Sequence, residues 1–167
     1  MSTLVPSEHL EARHITSDLS CGEPALDDWL SRFALTSERS STARTYVTHP
    51  GNDEVKGYYT LAAGSVSPDV APDRVRRGAG LQSVPVIVLA RLAVDERVQR
   101  QGVGRGLVKD ALIRVASAGA IVGTRAVLVH LKDPSMASFY ERFDFDASPV
   151  DDSQMFLLMK DLLAALP

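Results

Sequence analysis

Cysteine is almost absent from this chain. Cys21 is the one copy, so no internal disulfide can staple the fold, and a reducing compartment such as the cytoplasm suits it. Long apolar runs are missing too. None reaches the roughly 18 residues of a membrane helix, and no charged-then-apolar leader opens the sequence, so neither membrane insertion nor export is expected. No internal repeat or low-complexity tract occurs. No Gly-Lys-Ser/Thr triplet marks a Walker loop, and no metal-ligand spacing of His, Cys, Asp and Glu is present, so no metal is expected.

What is there is ordinary in bulk and uneven in distribution. The 167 residues are 45% hydrophobic and 23% charged, which predicts one domain over residues 1–167 with its own core, residues 1–8 forming a loose tail. The net charge of −3 hides an asymmetry. Residues 56–132 hold 12 Lys/Arg against 5 Asp/Glu, whereas residues 1–55 hold 4 against 9 and residues 133–167 hold 2 against 7. A polyanionic ligand is expected at the central basic block, unless folding scatters those charges over the surface.

That block contains the most informative stretch. Residues 86–94, Val-Ile-Val-Leu-Ala-Arg-Leu-Ala-Val, are nearly all apolar and rich in β-branched side chains, the pattern of a strand covered on both faces. A turn with alternating glycines follows, Gln99-Arg100-Gln101-Gly102-Val103-Gly104-Arg105-Gly106. Leu107, Val108, Ala111, Leu112 and Val115 then stripe an amphipathic helix. Glycines at a helix start expose backbone N–H groups, and the positive end of the helix dipole faces the same way, so the turn reads as a pyrophosphate cradle. A tight turn needed only for close packing is the alternative.

The rest of the chain supplies the frame. Leu10–Thr16 suggests a first strand. Helical spacing starts at Pro24, with Leu26, Trp29, Leu30 and Phe33 on one face, and continues to about Ser41. Residues 45–48 and 55–63 read as two strands of a hairpin, and 67–83 as a Pro/Gly/Arg-rich connection. Arg125–Leu131 is a further strand. Asp133 and Pro134 then open a helix whose apolar face is Met136, Phe139, Tyr140 and Phe143. A connection or short strand at 146–150, a last strand at 155–159 and a frayed helical turn at 161–166 close the chain.

Four motifs in this order carry a resemblance. They are Cys21-Gly22-x-x-x-Leu26-Asp27-x-Trp29-Leu30, Gly57-Tyr58-Tyr59-x-Leu61-Ala62-Ala63-Gly64-Ser65, Pro85-Val86-x-x-Leu89-x-Arg91-Leu92-Ala93-Val94-Asp95 with the glycine turn, and Phe139-Tyr140-x-x-Phe143. From about residue 20 to 162 the chain resembles the GCN5-related N-acetyltransferases (GNAT), and within them the TacT-like toxins of type II toxin–antitoxin modules.

The resemblance implies an α+β GNAT fold, its mixed, mostly antiparallel sheet splayed at the coenzyme site and flanked by helices on both faces. It implies acetyl-CoA as co-substrate, bound by Leu92, Ala93, Val94, Gln99, Arg100, Gln101, Gly102, Val103, Gly104, Arg105 and Phe139. It implies transfer of the acetyl group to the α-amine of aminoacyl-tRNA, which blocks translation, a ribbon-helix-helix antitoxin as partner, and room for a homodimer.

Tyr140 is the general acid that the resemblance implies, although its place in an aromatic stripe alone would read as core packing. No carboxylate stands out as a base. An α-amine of pKa about 7.7–8.0 needs one less than a lysine at about 10.4. Arg91 interrupts its strand and needs an anion, either a carboxylate or a phosphate. Arg76 and Arg77, with Arg74, lie on the loop before that strand, either against an RNA backbone or in solvent. Asp144 stands where many relatives have glycine, which predicts a shifted helix cap. Acetylation of a small-molecule or protein amine, and a coenzyme-binding module without catalysis, are the alternative functions.

Overall fold

The computed structural model describes residues 3–78, 80 and 82–166. Among these residues seven strands form one sheet: β1 (Glu8–His9), β2 (Arg44–Thr48), β3 (Gly57–Val66), β4 (Val84–Val94), β5 (Ala126–His130), β6 (Asp146–Ala147) and β7 (Gln154–Leu158). Their order is β1-β2-β3-β4-β5-β7-β6. The ladders β1–β2, β2–β3, β5–β7 and β6–β7 are antiparallel and β4–β5 is parallel, so the sheet is mixed and mostly antiparallel. Among the described residues six helices accompany it: α1 (Pro24–Arg32), α2 (Ala34–Ser40), α3 (Asp73–Arg76), α4 (Val103–Ile121), α5 (Ala137–Glu141) and α6 (Met159–Ala165).

Packing divides the chain into two compact units, Met1–Ala62 with Ala90–Ala111 and Ala63–Leu89 with Leu112–Pro167. Each has a core of its own. In the first, Leu10, Leu19, Leu30, Ala34, Val47, Val55, Tyr58 and Ala93 pack together, with Leu26 and Trp29 against them. In the second, Ala71, Val75, Val84, Val86, Ala126, Leu128, Phe156 and Leu158 do the same. β4 is buried at Val84, Val86, Leu89 and Ala93 and partly buried elsewhere, and β5 is buried from Ala126 to Val129 with His130 exposed, as the apolar runs of these strands predict.

Of the loose tail expected over residues 1–8, residues 1 and 2 lie outside the described residues, and the segment from Val5 to Ser7 is tied down. The Val5 N–H donates to the His49 carbonyl at 2.8 Å, the Thr48 hydroxyl donates to the Val5 carbonyl at 2.5 Å, and Ser7 hydrogen-bonds Asp110. These partners lie far along the chain, so local composition carries no sign of them. The expected first strand at 10–16 is displaced for a related reason. Glu8 and His9 pair with Val47 and Tyr46, and the next residues turn, with His14 N–H on the Glu11 carbonyl at 3.1 Å.

Residues 67–83, expected as a plain connection, contain a 3-10 turn at Pro68–Val70 and α3. Arg125 staples them by donating to the Val75, Arg74 and Arg77 carbonyls at 2.9, 3.2 and 2.7 Å, which satisfies the free end of a short helix. The cap after α5 is not shifted. Asp144 itself takes the left-handed conformation at φ 68°, its N–H bonds Glu141 O at 2.9 Å, and Phe145 N–H bonds Tyr140 O at 3.3 Å. This is a Schellman closure, with the Phe145 and Tyr140 rings 5.5 Å apart as its apolar contact.

Candidate active site

The parallel β4–β5 ladder runs from Val86↔Ala126 to Leu89↔Val129. β4 extends five residues past that last rung, Ala90–Val94, and then enters the glycine turn. At the turn Arg100 has φ 64° and Gly102 φ 83°, which swings the chain into α4. The first internal bond of α4 is Gly106 N–H to Gly102 O at 3.0 Å. The N–H groups ahead of it therefore have no partner within the helix. A Cβ placed on Gly102 or Gly106 meets nothing within 4 Å, so both glycines border open space. A cleft of about 360 Å³ opens beside them, lined in part by Gln101, Gly102, Val103, Gly106 and Asp110. Backbone donors, a helix dipole and room for a bulky anion fit the pyrophosphate of a nucleotide-like coenzyme.

The turn is anchored by a residue that its place in the sequence does not single out. Asp95 is fully buried, and its carboxylate accepts from Arg97 N, Nε and Nη2 at 2.9, 2.8 and 2.9 Å and from Ser20 N at 3.1 Å. Those bonds, the Arg97 guanidinium first, hold its pKa well below the usual carboxylate range despite burial. Gln99 belongs to the same anchor, because its Nε2 donates to Cys21 O at 3.0 Å and Val94 O at 2.8 Å. Gln99 is expected to contact the coenzyme; in the structure its side-chain N–H groups are engaged with the backbone.

Arg91 points its guanidinium over the Trp29 ring, 3.9 Å from the centroid, and Trp29 stacks on Tyr58 with an 11° interplanar angle. Burial lowers the Arg91 pKa from its usual value. Among the described residues it has no hydrogen bond or ion pair, so the carboxylate half of its expected pairing is excluded there. By spacing alone Trp29 is a core residue of an amphipathic helix; its place beneath Arg91 needs the fold.

The second unit carries Arg76, Arg77, Phe139 and Tyr140. Arg76 is paired with Asp73 within α3, and Arg77 is highly exposed, 3.7 Å from the same carboxylate. Tyr140 is 6% exposed, held edge-on by Phe139 at 5.0 Å and Phe145 at 5.5 Å. Its hydroxyl makes no hydrogen bond among the described residues, whereas Tyr58 donates to Leu26 O and Tyr59 to Asp110. Burial alone pushes the Tyr140 phenol up to about 12. Asp133 caps the turn before α5 by accepting from Ser135 N at 2.9 Å, and Glu141 is exposed.

One cluster of metal-ligand type has no signature in the sequence spacing. Ligand atoms of Glu8, His14, His49 and Asp53 lie within 4.8 Å of one another. Nδ1 of His14 accepts from Glu11 N, and Nδ1 of His49 accepts from Gly51 N, so the proton of each ring belongs on Nε2. Both Nε2 atoms then donate to Glu8 Oε1, at 2.8 and 2.6 Å. Arg13 bridges Glu8 and Asp53 at 2.9 and 2.5 Å. Neither ring keeps a lone pair for a cation; the cluster is a structural knot.

Residues 63–147 match the family described as acetyltransferase (GNAT) domain. The chain belongs to the GNAT family.

As a GNAT acetyltransferase it is also similar over its whole length to individual relatives. It is 43% identical over 161 residues to a tRNA-acetylating toxin of Mycobacterium tuberculosis, covering 96% of this chain and 95% of that protein. AtaT complexed with acetyl-methionyl-tRNAfMet superposes with a TM-score of 0.88 at 26% identity, covering 97% of this chain and 98% of that one. A tyrosine-to-phenylalanine mutant of AtaT, bound to the C-terminus of the antitoxin AtaR and acetyl-CoA, gives 0.80 at 27% identity over 98% and 99%.

Proposed function

We propose that this GNAT enzyme transfers the acetyl group of acetyl-CoA to the α-amino group of an aminoacyl-tRNA and so acts as a toxin that blocks translation. Tyr140 carries this reading: its buried phenol makes no hydrogen bond to the described residues, which supports keeping its O–H for a reacting group. The relatives that acetylate tRNA or bind tRNA and acetyl-CoA support the choice of substrates.

Acetyl-CoA brings an activated thioester. For its pyrophosphate, Arg100, Gln101, Gly102, Val103, Gly104 and Arg105 offer backbone N–H groups and two cations at the start of α4. Leu92, Ala93 and Val94 extend past the last β4–β5 rung and offer an edge for the pantetheine amides. Phe139 offers an apolar wall. The acceptor nitrogen attacks the thioester carbonyl, the C–S bond breaks, and the Tyr140 O–H protonates the departing sulfur; the proton lost by the amine leaves to water. A phenol near 12 stays loaded with its proton at every physiological pH. The lack of a dedicated base suits an α-amine, which is substantially neutral near pH 8.

Arg91, Arg76 and Arg77 are assigned to the phosphates and acceptor end of the RNA, with Arg91 the better prepared because no carboxylate pairs it among the described residues. A ribbon-helix-helix antitoxin and a homodimer belong to the same proposal, as does a cytoplasmic site of action. The described residues contain no helix long and apolar enough to cross a membrane. The test is mass spectrometry of bulk charged tRNA incubated with the protein and acetyl-CoA. Gain of one acetyl group on the aminoacyl moiety is expected; unmodified charged tRNA beside acetylation of another amine would overturn the proposal.

A further inference from the structure

The segment that precedes α1 is knitted to the glycine turn at four points. Ser20 N–H donates to Asp95 Oδ2 at 3.1 Å, Glu96 N–H to Ser20 O at 2.8 Å, Gln99 Nε2 to Cys21 O at 3.0 Å, and Arg97 Nη2 to Asp18 O at 3.2 Å. The two turns also touch. A Cβ on Gly22, whose φ is +96°, would lie 3.0 Å from the Glu96 carboxylate. On its other side the segment is tied to α1, where Cys21 N–H meets Asp27 Oδ1 at 3.0 Å, and α1 carries Trp29 beneath Arg91.

We infer that Asp95 and Gln99 are positioning residues that transmit occupancy of the coenzyme turn to the acceptor surface formed by Arg91 and Trp29. The inference rests on the proposal that acetyl-CoA binds at the glycine turn. Arg100 and Gly102 hold positive φ there, a conformation that a ligand on the turn's N–H groups stabilises. The two Gln99 bonds tie the Cys21 carbonyl to the Val94 carbonyl at the end of β4, and Cys21 in turn sets the entry of α1. An ordered turn thus gives an α1 in one register, with the indole face set for the guanidinium. Losing both bonds loosens the coupling by roughly tenfold or more.

The chain supplies its own reporter, because Trp29 is its one tryptophan. Acetyl-CoA binding, established by calorimetry, is expected to change Trp29 emission in the wild type. In Gln99→Ala and Gln99→Glu, which remove the two N–H donors from an exposed position, the change at saturating acetyl-CoA should fall severalfold. The acceptor KM should rise roughly tenfold while thermal unfolding stays close to wild type. Asp95→Asn should act the same way if it folds; the exposed Gln99 variants decide the matter either way. An emission change of wild-type size in both Gln99 variants overturns the inference, as does binding by the wild type that leaves Trp29 emission unaltered. Absence of calorimetric binding by the wild type overturns the coenzyme reading, and this inference with it.

Discussion

The Arg91 guanidinium rests 3.9 Å above the Trp29 ring, and no carboxylate among the described residues pairs it. A half-buried cation on an aromatic face keeps its in-plane N–H donors available for a second ligand. That arrangement joins strand β4 to helix α1 at the one place where the strand breaks its apolar pattern. Unlike Arg76 and Arg77, which lie beside Asp73, Arg91 thus has no carboxylate competing for the anionic acceptor it is proposed to meet.

Arg91→Lys therefore separates stacking and fork geometry from charge. Lysine keeps the charge but loses the planar fork, so kcat/KM for charged tRNA should fall roughly tenfold or more. Acetyl-CoA affinity by calorimetry should stay within about twofold. Equal catalytic efficiency in the two proteins would remove Arg91 from the acceptor site.

Tyr140→Phe keeps the ring against Phe139 and Phe145 and deletes the hydroxyl. Turnover should drop by roughly 10²–10⁴-fold with coenzyme affinity nearly intact. The same variant has an alkaline signature. Burial raises the folded-state pKa to about 12 from an ordinary 10, so the neutral form is favoured by the fold. That stabilisation is fully present below about pH 10 and is lost as pH rises through about 12. Wild type should lose stability over that range more steeply than Tyr140→Phe in equilibrium unfolding.

Gly106→Ala sets stability against binding. Gly106 lies in the first turn of α4, and a Cβ at this position would meet no heavy atom within 4 Å outside its chain neighbours and its own helix backbone. Alanine should therefore stabilise the helix by about 0.5–1 kcal/mol and raise Tm. The new methyl group enters the space assigned to the coenzyme, so acetyl-CoA affinity should fall severalfold in the same protein. A higher Tm with unchanged affinity would place the coenzyme elsewhere.

Glu8→Gln tests the knot that ties down the chain start. Glu8 accepts from the His14 and His49 rings and from Arg13, the His14 bond first, and its pKa drops to about 2 from 4.5. A depressed carboxylate stabilises the fold above its unfolded pKa, and that contribution disappears as pH falls from about 4.5 through 2. Glu8→Gln should be less stable than wild type at pH 7, with the gap closing toward pH 2 in acid titrations followed by circular dichroism. A constant gap would mean that the charge of Glu8 is not what stabilises the segment.

The elements of the fold are largely legible along the chain because each rests on local periodicity. The nearly unbroken apolar run of β4, the stripe of α4, Pro24 at the start of α1 and the Asp133 cap all appear where the spacing puts them. The glycine turn is legible for the same reason, since Gly102 is needed where the backbone turns to φ 83°. Tyr140 is different. Its spacing alone describes a packed aromatic, and its chemical candidacy comes from the ordered motifs around it and from a hydroxyl that makes no hydrogen bond among the described residues.

Tertiary structure decided what depends on partners distant in sequence. Val5 finds His49, Ser7 finds Asp110, and Glu8 gathers two histidines and an arginine, so the expected tail becomes an ordered border of the cleft. Asp95 reads as one more acid after an apolar run until the fold brings Ser20 to its carboxylate. Arg91 reads as a cation in need of an anion until Trp29 takes its face and leaves its edge available. A side chain's type and spacing set which contacts it can make, but a loop's length does not say which residues it returns to; the paired strands and packed helices do.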